Sequence, residues 1–296
     1  MHKIHLLGSS TLTGKSFCIE NKSKYKILCY SRKNKKDIYL DINNIKSYSN
    51  IDFKSFDNSF LVSFAPIWET VKFFELISRI QNNEIRKLKG IILCSSSSVV
   101  TKRFAINSKD KDLYKSLLKS ENKIINLSNE LNIPCLIIRP TIIYGKQDNL
   151  NDSNLFIIKK FLNKIPFIIL PRNVGKRQPI HAAQLAKVVL KFIDKLLIKK
   201  DNIFFKDNTI EIGGDEILSY KDMLERLQDE KNIFPFFNSK ILSVPNFIFY
   251  IFTIPFLIIS PKLFETIFRI SSDFAGFTKC SNLTNEIPRN FPYRKY

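Results

Sequence analysis

The chain has 296 residues, 44 % of them apolar, which excludes a globally disordered protein and is enough for one large domain, alone or with a small second lobe. Its formal net charge of +20 would ordinarily suggest nucleic acid or anionic lipid as a partner. The cations are mostly lysines, spread along the whole chain among many Ile, Asn and Phe residues. A/T-rich codons specify all of these, so base composition accounts for the charge and no nucleic-acid partner is expected.

Taken in order, residues 3–7 (KIHLL) read as a short buried strand, followed by a loop of small residues at 8–14 and a helix beginning at Lys15. Residues 25–30, 37–42, 59–65, 90–94 and 133–138 are further apolar, β-prone runs. Between the later runs, residues 67–81 and 113–131 repeat apolar positions every three or four residues, the period of a helix with one buried face. Strands alternating with helices predict an α/β protein with a parallel sheet. After Gly145 the pattern loosens into helices over 155–162, 183–197 and 220–227, with a late strand at 209–213. The expected fold is a Rossmann-type doubly wound parallel sheet over residues 1–180, with its core strands in 3–145. A small, mostly helical C-terminal lobe over residues 181–296 is expected to be partly interleaved with it.

Residues 241–261 (ILSVPNFIFYIFTIPFLIISP) contain no charged side chain and have the length of a transmembrane candidate. Pro245, Pro255 and Pro261 interrupt the run, and a proline costs a helix interior about 3 kcal/mol. A buried or membrane-lying helix pair is the preferred expectation, with a true span as the alternative. Cys18, Cys29, Cys94, Cys135 and Cys280 form no C-x-x-C pair. That excludes the usual zinc and disulfide frameworks, leaves no metal site expected, and suits a reducing cytoplasm. The apolar run at 4–7 is too short for a signal-peptide core.

The loop Gly8-Ser9-Ser10-Thr11-Leu12-Thr13-Gly14 joins the first strand to the first helix. There, glycines permit a tight turn and close approach of a pyrophosphate, and a helix N-terminus offers free N–H groups to it. Gly8, Ser10, Thr11, Leu12 and Gly14 are the candidate cofactor contacts. Thr11 stands where a glycine is usual, and its side chain is expected to crowd the turn. The same stretch ends like a Walker A loop at Gly14-Lys15-Ser16, but its first glycine is displaced by one residue, so this alternative ranks lower. At the end of the second strand, Ser31-Arg32-Lys33 replaces the acidic residue that would hold the ribose hydroxyls of NAD. A guanidinium suits a 2′-phosphate, which favours NADP slightly over NAD. The alternative is that Arg32 is one more cation in a basic chain. Asp41 and Ile42, where the third strand ends, are candidate adenine contacts.

Six segments in order are GSSTLTG, VSFAPIW, CSSSSVVTK, RPTIIYG, RQPIHAAQLAKVVL and EIGGDEILSYKDML. With the tail at 272–292 they resemble the extended and atypical short-chain dehydrogenase/reductases of the NAD-dependent epimerase/dehydratase group. The resemblance implies a nicotinamide cofactor held in part by Ala65 and Pro66. It implies a nucleotide-sugar substrate near Ser96, Tyr144, Arg177 and His181, in polysaccharide or O-antigen synthesis. It further implies a catalytic Tyr with a Lys four residues later on one helix face, and a Ser that orients the substrate oxygen. Ser97 and Tyr114 are the candidates. Lys119 follows Tyr114 by five residues and leaves its face. If Glu121 takes the place of the family's Glu, the Tyr and Lys positions fall on Leu113 and Leu117, and the dyad is absent. In the blander alternative Tyr114 is a partly exposed helix residue, the serines satisfy loop amides, and His181 is structural.

Three functions follow as expectations. The first is an NAD(P)-dependent epimerase, dehydratase or reductase acting on a nucleotide sugar. The second is a non-catalytic nucleotide-binding sensor or assembly subunit. The third is a membrane-attached partner of a polysaccharide machine, docking through 241–261. The expected location is the cytoplasm, peripheral to the inner membrane in the third case.

Overall fold

A computed structural model describes residues 1–32, 34–147, 150–151, 153–162, 164–198, 208–229 and 239–293. Lys33, singled out beside Arg32, lies outside the described residues. The central sheet contains β1 (Lys3–Leu7), β2 (Lys26–Ser31), β3 (Ile38–Tyr39), β4 (Ser59–Ser63), β5 (Gly90–Cys94), β6 (Cys135–Pro140), β7 (Thr209–Gly213) and β8 (Thr278–Lys279). These eight lie in the order β8-β7-β6-β5-β4-β1-β2-β3, and every neighbouring pair is parallel.

The strands read as near-continuous apolar runs because both faces of the sheet are covered. Ile4, Leu6, Phe60, Val62 and Ile92 point to the face holding α1 (Leu12–Glu20) and α4 (Ala182–Ile198). Leu7, Leu61, Ile91 and Leu93 point to the other, against α2 (Ile67–Ile80) and α3 (Ser108–Glu130). α3 begins at Ser108, ahead of the expected 113, because the Asn107 side chain accepts from the Asp110 N–H at 2.9 Å. A cap of that kind starts a helix before its apolar period is visible.

Three features depart from the sequence expectations. The third strand has only two residues, because Ser47 Oγ bonds both the N–H and the C=O of Asp41 and turns the chain away. The central sheet also extends beyond the expected core strands in 3–145, through β7 and β8, with α4 packed on one face. β8 carries no apolar run and is positioned from a distance, by Gln178 Oε1 accepting from the Phe277 N–H and Asp215 from the Ser281 N–H. The second lobe has its own core, including Leu155, Leu170, Met223 and Phe291, and a parallel strand pair, Phe167–Pro171 with Lys240–Val244.

The uncharged run at 241–261 therefore opens in a strand and then forms α5 (Asn246–Thr253), α6 (Pro255–Ile259) and the start of α7 (Pro261–Phe268). Pro255 and Pro261 each begin a new helix, where a missing N–H costs nothing. Eight residues reach about 12 Å, against roughly 30 Å of hydrocarbon, and no described helix is long and apolar enough to cross a membrane. The run is not buried either, since Ile258 is 86 % exposed.

Cys18 on α1 and Cys29 on β2, distant from any motif in the sequence, meet as free thiols with 3.7 Å between sulfurs.

The centre of β1 carries a buried histidine. The His5 ring stacks on Phe56 at 3.9 Å; its Nε2–H donates to Ser55 C=O at 3.1 Å, and Nδ1 accepts from the Tyr30 hydroxyl at 2.9 Å. Both nitrogens are thus used by a neutral ring. Burial lowers the pKa from 6.5 to about 4, with the Ser55 bond opposing. The unfolded chain takes up a proton near pH 6.5 and the folded chain does not until near pH 4. The stability held by neutral His5 is therefore complete above the upper value and falls as pH drops through this window, by roughly 3 kcal/mol. Urea unfolding at several pH values should show this slope, and His5→Asn should flatten it. A wild-type profile level between the two values would contradict it.

Candidate functional site

β1 and β4 are neighbours whose following helices, α1 and α2, pass to opposite faces of the sheet. An open crevice results at their carboxyl ends, the usual ligand site of such sheets. The chain is tightest there. Gly8 has φ +76°, and a Cβ on it would lie 2.5 Å from Ala65 N and 2.7 Å from Phe64 C. A Cβ on Gly14 would lie 2.2 Å from Gly8 O. Both glycines are required by close backbone approach.

Thr11 has φ −79° and ψ 162°, an extended conformation open to any residue. Its hydroxyl donates to Gly8 O at 2.7 Å and accepts from Gly14 N–H at 3.0 Å. The expected crowding is met by turning that group back onto the loop, where it caps α1. Leu12 and Thr13 still bring first-turn N–H groups and the positive end of the helix dipole to the crevice. The helix begins at Leu12, three residues before Lys15, and Thr11 N–H closes onto Gly8 O at 3.0 Å. That leaves no open loop of Walker type.

The crevice has two joined halves. The outer half, about 830 Å³, is lined by Gly8, Ser10, Arg32, Asp41 and Ile42 among others. The inner half, about 590 Å³, includes Leu12, Ser95, Ser96, Leu113, Leu117 and Thr141. Thr11, Ala65, Pro66 and Trp68 line both. Two pockets meeting at a glycine loop suit a dinucleotide with its pyrophosphate at the junction. Each half also holds a buried polar atom without a partner, Glu69 Oε2 in the outer and Ser95 Oγ in the inner. An unsatisfied buried group costs about 1–3 kcal/mol, which a ligand hydrogen bond would offset.

The sequence-chosen cofactor residues thus come together, with Gly14 packed behind the loop. The Arg32 guanidinium is exposed, and its Nη1 stands 3.9 Å from Asp41 Oδ1. Trp68, Glu69, Ser95 and Thr141 escaped notice, although Trp68 closes the VSFAPIW segment. The catalytic candidates do not come together. Ser96 lines the inner half, while Ser97, one residue on, donates its N–H to Pro140 O and heads the short helix Ser98–Thr101.

The facing of α3 is set by an ion pair. Glu121 is 1 % exposed on its side chain and meets Arg139 Nη2 at 2.5 Å; Arg139 Nη1 meets Glu211 at 2.7 Å. Leu117 and Leu113 lie one and two helical turns before Glu121, on the same face. That face is turned to the crevice, so the two leucines line it. Tyr114 is rotated by about 100° and packs against the core beside Leu118. Lys115 and Lys119 border a shallow outer groove with Asn122. Among the described residues lining the inner half, Cys94 is the one titratable group, and burial pushes its thiol up to about 12.

The remaining candidates tie the lobes together. The Arg177 guanidinium donates to Ser272 O at 2.6 Å, Arg269 O at 2.8 Å and Lys176 O, between the rings of Tyr220 and Phe274. Burial lowers its pKa to about 10. Three of its five N–H hydrogens are given to these carbonyls. Tyr144 and His181 meet edge to face at 5.1 Å within a cluster containing Phe291 and Tyr293. The Tyr144 hydroxyl accepts from Tyr293 N–H at 2.8 Å, and His181 Nδ1 from Ala183 N–H at 3.2 Å.

No protein-family model matches the chain, and no curated protein matches it in sequence. Solved structures do. The chain is similar to UDP-glucuronic acid 4-epimerase from Bacillus cereus in complex with NAD, at 18 % identity over 97 % of this chain and 93 % of that one, with a TM-score of 0.61. It is similar to GDP-mannoheptose C4 reductase from Campylobacter jejuni with NADP bound, at 12 % identity over 82 % and 87 %, with a TM-score of 0.60. It is also similar to Gre2 from Candida albicans in complex with NADPH, at 12 % identity over 98 % and 95 %, with a TM-score of 0.64. The chain has the fold of these NAD- and NADP(H)-bound proteins, a sugar-nucleotide epimerase and a sugar-nucleotide reductase among them.

Proposed function

We propose that this protein binds a nicotinamide dinucleotide, NADP in preference to NAD, in the crevice between β1 and β4, as a non-catalytic sensor or assembly subunit. The observation that carries this is the contrast within one crevice. Gly8 and Gly14 keep the close-packed phosphate loop, while Leu113 and Leu117 occupy the helix face that an acid–base pair would need.

The α1 N-terminus and Thr11 would hold the pyrophosphate, Asp41 and Ile42 the adenine, and Arg32 a 2′-phosphate. A bound nicotinamide supplies a hydride donor or acceptor. Exchange with a sugar carbinol also requires a group that takes or gives the hydroxyl proton, a contribution of roughly 10²–10⁴-fold. The inner half offers hydroxyls and a high-pKa thiol for that task. Ser96 in the inner half favours the competing reading, an active epimerase or reductase of nucleotide sugars, as do the bound cofactors and substrate of the similar structures.

Trp68 is the single tryptophan and lines both halves, so its emission reports occupancy directly. NADPH should quench Trp68 and itself emit by energy transfer. Arg32→Ala should weaken NADPH by about tenfold or more, the worth of a charged hydrogen bond, and leave NADH unaffected. Absence of quenching at millimolar NADPH would end the dinucleotide proposal. Wild-type turnover of UDP- or GDP-sugars at about 1 s⁻¹ or faster, an ordinary enzyme rate, would end its non-catalytic half.

A further inference from the structure

We infer that α5, α6 and α7, with the loop at 104–106, form a contact site for the surface of an anionic lipid bilayer. Phe252, Ile258 and Ile259 are 74 %, 86 % and 76 % exposed, and Phe104 and Ile106 on the loop are 87 % and 74 % exposed. The three helices pack on one another and α7 holds the loop at Ile106 and Asn107, so these exposed side chains share one region, and large exposed apolar regions mark interaction sites.

The surface is built into the fold. Glu265 on α7 accepts from the N–H groups of Ile106 and Asn107 at 3.1 and 2.9 Å, and from the Asn107 side chain at 2.6 Å. Its other oxygen is taken by Arg269 at 2.5 Å. The one carboxylate of α7 is thereby turned inward. Within 239–268 and 101–107 the exposed charged residues are Lys240, Lys262 and Arg103, all positive, and Arg103 lies over the Phe104 ring.

The occupant follows from this charge pattern. A symmetric dimer through the patch would place the patch on its own copy, cation against cation. Anionic headgroups complement the rim, while the exposed Phe and Ile side chains enter the headgroup–acyl boundary. Helices broken at Pro255 and Pro261 are short enough to lie in that boundary and cannot cross it. The site is remote in sequence from the nucleotide loop, so its test is independent of the dinucleotide proposal.

The full chain is floated with phosphatidylcholine vesicles, with or without about 30 % phosphatidylglycerol, in low salt and in about 0.5 M NaCl, which screens surface charge. Co-flotation with the anionic vesicles at low salt is expected, with at least a tenfold lower partition onto neutral vesicles. The double variant Ile258→Ser, Ile259→Ser should lose binding at least tenfold at an unchanged melting temperature. Failure of the wild type to float with anionic vesicles would overturn the inference. So would undiminished binding of the variant, which would indicate charge alone. A dimer in sedimentation that the variant splits, without vesicle binding, would make the patch a self-association surface instead.

Discussion

Gly8→Ala is expected to lower NADPH affinity by about 100-fold or more and to destabilise the fold by about 3 kcal/mol, from a strained backbone and a packing clash together. The added Cβ would meet Ala65 N at 2.5 Å and Phe64 C at 2.7 Å, with φ at +76°. Both contacts are backbone, so no flexible side chain can yield. The chain leaving β4 must shift, and with it Ala65 and Pro66, which line both halves of the crevice. Trp68 quenching reads the affinity and thermal unfolding reads the stability. A variant that binds NADPH as the wild type does would show that the dinucleotide site lies elsewhere.

Arg139→Met should cost about 3–5 kcal/mol, the usual consequence of leaving a buried charge without its partner. Arg139 holds Glu121 on α3 and Glu211 on β7 from its place on β6, so three elements lose a common tie. Glu121 is the group left stranded, while Glu211 is partly solvated. Adding Glu121→Leu should restore most of the loss, because the buried charge is then gone as well. Urea unfolding of the single and double variants decides the matter; a single variant within 1 kcal/mol of wild type, roughly the worth of a surface ion pair, would mean the triad is not buried in solution. The same tie orients the helix face at the crevice, so the single variant should also disturb the inner half, where Leu113 and Leu117 sit.

The unforeseen charge arrangement also bears on function. A chain that kept an active acid–base pair would need titratable groups on the α3 face fixed by Glu121. This chain places apolar side chains there and its lysines outside.

The alternation of strands and helices was legible in the sequence by itself, because strands buried on both faces must be apolar throughout and helices between them must be apolar on one side. The glycine loop after β1 and the crevice-lining residues at the ends of β2, β3 and β4 were legible for the same reason, being local to strand ends. Tertiary structure alone decided the roles of side chains whose partners are far away in the chain. Arg177 became a structural clamp through carbonyls 92 and 95 residues distant. Tyr114 was turned from the crevice by an ion pair that joins α3 to β6. β8 was recruited without any apolar signal of its own. Most of the run at 241–261, apolar enough to be read as buried, stayed at the surface: among the described residues only Phe249 and Thr253 of the run are buried. Composition states how much a segment gains by leaving water, and only the packed fold determines what is there to cover it.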